Sequence, residues 1–102
     1  MSVQLPMGIS ERLIRHRLAR CSATMRELRE ELRISREQLA VIVDDAAEAE
    51  LRAIVSETPG AQADHREQQS HVLALANHVQ HLESRISVLE GEQDKLLDRL
   101  NS

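Results

Sequence analysis

"VSETPGAQADHRE" (residues 55–67) holds the chain's only Pro-Gly pair, Pro59-Gly60, and divides two long charged segments with almost no other helix breaker. As a flexible linker it would leave two independent helices. As the tip of a hairpin it would fold one helix onto the other. The spacing of apolar residues on either side distinguishes the two.

Upstream, Ile14, Leu18, Cys21, Met25, Leu28, Leu32, Ser35, Leu39, Ile42, Ala46, Ala49 and Ala53 follow one another at alternating intervals of four and three. A repeat sustained over so many heptads is the signature of a coiled coil. Ser10 is the expected N-cap, with Glu11 in the first turn complementing the helix dipole. Downstream, Val72, Val79 and Ile86 take the a position and Leu75, Leu82, Leu89 and Leu96 the d position, with His65, Gln68, Gln93 and Leu100 continuing the seam. Asp64 and Glu67 stand in capping-box relation at its start. Taken alone, β-branched a with Leu at d favours a parallel two-stranded zipper, which requires a second chain.

The two repeats are also in phase for antiparallel pairing within one chain. If facing residue numbers add to 121, Ala46 meets Leu75, Leu39 meets Leu82, Leu32 meets Leu89 and Met25 meets Leu96, about a midpoint between Gly60 and Ala61. That register sets Arg29 near Glu90, Arg36 near Glu83, Glu31 near Arg85 and Arg52 near Asp64. Exposed pairs contribute ~0–1 kcal/mol each, so they select register more than they add stability. The expected fold is all-α: two long helices in an antiparallel coiled-coil hairpin, dimerising into a four-helix bundle. Its expected parts are a disordered tail over 1–9, a helix over 10–57, a turn over 58–64 and a helix over 65–100.

Composition agrees. The 102 residues include no Phe, Tyr or Trp, 41% are hydrophobic and 29% charged, and the net charge is −4. Without aromatics a compact core lacks its largest contributors, whereas Leu, Ile, Val and Ala suit amphipathic helices. A lone Cys21 cannot close an internal disulfide, and the first twenty residues have no apolar run long enough for a signal peptide or membrane span. The expected location is cytoplasmic, with no membrane association.

Apolar residues off the seam predict assembly. A bare two-helix hairpin buries little surface per residue, so Ile34, Val41, Val88, Leu73 and Leu97 are expected to bury against another copy or a different protein. Of the Lys and Arg residues all but Lys95 are Arg, the pattern expected of G+C bias in a coding sequence. Arg12, Arg15, Arg17 and Arg20 cluster on the chain expected to overhang the second helix. Such an end can touch an acidic partner or, with no aromatic for base stacking, the phosphates of nucleic acid. His71, His78 and His81 lack a third strong ligand and read as solvated flank residues. No nucleophile is set against a base and no Gly-rich phosphate loop is present, so neither catalysis nor a cofactor is expected.

Three resemblances attach to particular stretches. "MRELREELRISREQLAVIV" (25–43) resembles the opening helices of helix-turn-helix repressors, but the following "DDAAEAELRAIVS" lacks their turn and polar recognition helix. The tip, with Glu57, Asp64 and Glu67, is similar to the acidic hairpin tips of Gre-type transcription factors, without their tip motif. "ETPGAQADHREQQSH" followed by "LESRISVLEGEQDKLLDRL" resembles small helical-hairpin proteins of high-GC Gram-positive bacteria, which implies the fold and no activity. The expectation is a non-enzymatic, self-associating coiled-coil interaction module acting as adaptor, scaffold or regulator. The alternative is a transcription-associated factor docking its hairpin on RNA polymerase, a sigma factor or DNA.

Overall fold

The computed structural model describes residues 7–102, with side chains from Ser10 onward. It consists of two helices, α1 (Met7–Ser56) and α2 (Pro59–Asn101), packed side by side along the length of α2 into a rod 80 × 23 × 15 Å. Apart from Glu57, Thr58 and Ser102, every described residue is helical. The expected antiparallel hairpin is therefore present.

Its boundaries differ from those expected. Residues 1–6 of the expected tail lie outside the described residues, and residues 7–9 belong to α1. Ser10 is consequently inside α1 rather than at its cap, because a single Gly near a helix end costs only about 1 kcal/mol and does not stop the helix. The larger correction is at the turn, which has two residues instead of seven. Pro59 opens α2 at a position where its missing N–H is not needed and its fixed φ is already helical. Thr58 is the N-cap, its Oγ1 accepting from Ala61 N at 3.2 Å, and Asp64 lies a turn and a half inside the helix. At the end of α1, Glu57 adopts φ 51° and donates its N–H to Ala53 O at 3.2 Å, the left-handed cap in which glycine is usual. Gln62 Nε2 donates to the same carbonyl at 3.3 Å, tying the two helix ends together.

The short turn moves the register by one heptad. Gln93 donates to Ser22 Oγ at 3.4 Å, and these numbers, like those of Gln62 and Ala53, add to 115. On one flank, Arg29–Glu90 (3.2 Å) and Arg36–Glu83 (3.0 Å) add to 119; on the other, Arg17–Glu92 (3.4 Å) and Glu31–His78 (3.1 Å) add to 109. The seam between them is centred on 114, not 121. Leu32 thus faces Leu82, Leu28 faces Ile86, and Ile14 reaches the level of Leu100. Three of the four expected ion pairs form; Glu31 meets His78 instead of Arg85.

Burial along the seam is uneven. From Met25 to Ser35 on α1 and Val79 to Ile86 on α2, the seam positions are buried, with Leu82 only 2% exposed. Near the tip, Ala49 and Ala53 are buried because their small side chains let the helices approach closely where the turn demands it. A non-glycine residue in the left-handed region costs roughly 1 kcal/mol. Glu57→Gly should accordingly stabilise the hairpin by up to about 1 kcal/mol, raising the thermal midpoint without changing helix content. At a concentration dilute enough for the chain to be monomeric, a fall in the midpoint would mean that the Glu57 side chain holds the turn.

Candidate interaction surface

The arginine-rich end is not an overhang. With Ile14 level with Leu100, only residues 7–12, fewer than two turns of α1, extend beyond α2, and of the four arginines only Arg12 lies there. The shorter turn is the cause, since it shifts the end of α2 toward the start of α1. The four arginines also diverge. Heptad position places Arg12 and Arg15 on the flank of Arg29 and Arg36, and Arg17 and Arg20 on the opposite one. Arg15 Nη2 donates to Glu11 at 2.7 Å, and Arg17 is held by Glu92. No concentrated patch for a phosphate backbone results, and acidic partners already occupy two of its members.

The five apolar residues expected to form one stripe are exposed, but they divide between two faces. Ile34, Val41 and Val88 occupy c positions on the flank that carries Arg17–Glu92 and Glu31–His78. Leu73 and Leu97 occupy b and e positions on the flank that carries Arg29–Glu90 and Arg36–Glu83. The corrected register also separates Val88 from Ile34 and Val41, since Val88 now lies level with Arg26. At 1.5 Å per residue it stands about 12 Å along the axis from Ile34.

A different concentration of apolar surface emerges in the middle of the rod. Ala40-Val41-Ile42-Val43 on α1 lies level with Val72-Leu73-Ala74 on α2, so apolar side chains face the seam and both flanks, while the outer edges keep Asp44, Ser70 and Asn77. Val41 and Leu73 are 60% and 63% exposed. The seam itself closes less tightly here, leaving Leu39, Ile42, Val72 and Leu75 half-buried. On one flank Val43, Ala47, Val72 and Leu73 line a shallow apolar groove. Contiguous apolar surface on both flanks of a two-helix rod normally lies against other protein. The alanines of this girdle carry too little hydrophobicity to stand out by pattern. Their alignment depends on the register.

Cys21 is the chain's single thiol, and it is buried in the seam. Its Sγ donates to Leu89 O at 3.3 Å across the seam. Burial pushes the thiol above its ordinary pKa, and the Glu92 carboxylate adds to the rise. The folded chain therefore holds this proton to higher pH than the unfolded chain does. The thiol's contribution to stability is complete below the unfolded value and is lost as pH rises through the folded one. The thermal midpoint of the protein should fall more steeply above about pH 8.5 than that of Cys21→Ala, as measured by parallel melts. Coincident slopes would refute the linkage.

Among the described residues no group of three or more His, Cys, Asp or Glu is placed to hold a metal ion. His78 lies against Glu31 rather than beside a second ligand. No helix among them is long and apolar enough to cross a membrane. No protein-family model, curated protein or solved structure matches the chain.

Proposed function

We propose that the protein is a non-enzymatic coiled-coil interaction module that self-associates and acts as an adaptor, scaffold or regulator. The observation that carries this reading is the apolar girdle around Ala40–Val43 and Val72–Ala74, exposed on both flanks over a seam that is only half-buried there. A two-helix rod has no third layer to cover such surface, and contiguous exposed apolar patches on soluble proteins mark contact sites. The role as a hairpin that docks on the transcription machinery has less to stand on. At the acidic tip Asp64 is paired with Arg52 at 3.5 Å, and the arginines at the other end are dispersed.

Self-association is tested by sedimentation equilibrium over a wide concentration range, with a concentration-dependent mass above 11.5 kDa expected. Affinity capture from lysate with and without nuclease tests the choice of partner. Recovery of nucleic acid or polymerase subunits that survives washing in high salt would overturn the adaptor reading in favour of the transcription-associated one.

A further inference from the structure

A second series with intervals of four and three runs along α1 beside the hairpin seam, on the flank of the apolar groove. It begins with three cations, Arg29, Arg33 and Arg36, continues with Ala40, Val43 and Ala47, and ends with Glu50, Ile54 and Glu57. All nine are exposed, and Leu73 on α2 lines the groove with Val43 and Ala47. Charge inverts about Val43: Arg36 and Glu50 lie one heptad to either side, Arg29 and Glu57 two heptads. The same helix face therefore carries a pattern and its complement, as an isologous interface requires.

We propose that this face is the interface with a second copy of the chain, its two-fold axis passing beside Val43 and the two α1 helices running antiparallel in the centre of a four-helix bundle. The proposal rests on the self-association reading and specifies the surface and orientation. Rotation about that axis sets Val43 against its own copy and Ala40 against Ala47 of the copy. The small side chains let the helix axes come close. Arg36 then meets Glu50 of the copy and Arg29 meets Glu57 of the copy, each pair occurring twice.

The side-chain contacts within one chain are compatible with this. Among the described residues Glu50 and Glu57 enter no ion pair. Arg29 and Arg36 each hold their α2 partner through Nη2 alone, leaving other guanidinium donors free. Arg33 is gripped by Glu30 and Glu37 of its own helix, which places it opposite Ile54 of the copy without an unpaired charge. The opposite flank has no comparable symmetry. Around Ile34 and Val41 the series Glu31, Gln38, Asp45, Glu48 and Arg52 offers one opposite-charge pair, Glu31 with Arg52, and both are already engaged within the chain, by His78 and Asp64.

Two experiments on the full chain test the assignment, both in a Cys21→Ala background. Val43→Cys should form a disulfide-linked dimer under mild oxidation, because the axis brings position 43 against itself, whereas Val41→Cys on the other flank should not. Arg36→Glu and Glu50→Arg should each weaken the homodimer at least about tenfold, since an attraction becomes a repulsion at both symmetry-related pairs. Mixed together, the two variants should recover affinity close to that of the unaltered chain, because the heterodimer restores an opposite-charge pair at both places. Circular dichroism confirms that each remains a hairpin. A parent chain that stays monomeric at high concentration defeats the self-association reading and this proposal with it. A dimeric parent in which position 43 does not cross-link, or whose charge variants do not rescue one another, overturns the face alone.

Discussion

Leu82→Ala should leave the chain largely unfolded at room temperature. Leu82 is 2% exposed and packs in the cluster of Leu28, Leu32, Val79 and Ile86, the most tightly closed layers of the rod. Removing a buried leucine side chain costs about 2–5 kcal/mol, through lost transfer free energy and the cavity left behind. A two-helix hairpin of this size has little more than that to lose. Helix content should fall with it, because helices depend mainly on their packed face, and neither half of this chain is rich enough in alanine to persist alone. Far-UV circular dichroism at dilute concentration is the measurement. Val88→Ala, at an exposed position, should shift stability by no more than about 0.5 kcal/mol and serves as the control. Similar melting of both variants would show that the seam is not what holds the hairpin.

The second large effect concerns register. Disulfides form only between residues whose Cα atoms are within about 7 Å, and one heptad along a helix is about 10 Å. With Cys21 replaced by Ala, the pair Leu39→Cys and Leu75→Cys should cross-link almost completely within one chain. Leu39→Cys with Leu82→Cys should remain reduced, or bridge only between chains. Non-reducing electrophoresis of dilute samples separates the two. Efficient intramolecular bridging of 39 to 82 would restore the longer turn and return Leu82 to the side of Leu39, against the hydrogen bonds from Gln93 to Ser22 and Gln62 to Ala53.

That choice marks the boundary of what could be read from the residues alone. The run of Ile, Leu, Met and Ala from Ile14 to Ala53, and of Val and Leu from Val72 to Leu96, determined two long helices and the face each buries, which follow from periodicity, a local property of the chain. The antiparallel pairing rested in addition on the phase of the two repeats about Pro59-Gly60 and on the flanking charges. Periodicity is blind to a slip of seven residues, because every seam position then meets another seam position. The ion pairs shared the blindness: Arg29 and Arg36 reach Glu90 and Glu83 in either register, since each e position lies between two e positions of the other helix. Glu31 and Arg17 distinguish the two: Glu31 takes His78 and Arg17 takes Glu92, pairs that only the shorter turn allows. The deciding element was the turn, where Pro59 reads equally well as a breaker or as the first residue of a helix. Which it becomes depends on Thr58 capping α2, Glu57 accepting a left-handed backbone and Gln62 reaching back to Ala53, all of which require the two helix ends to be held together in space. The exposed apolar residues were visible as such in the sequence. Their division between two faces, and the girdle at Ala40–Val43 and Val72–Ala74, came only with the register, because neighbours on different helices are neighbours only once the turn has fixed which levels meet.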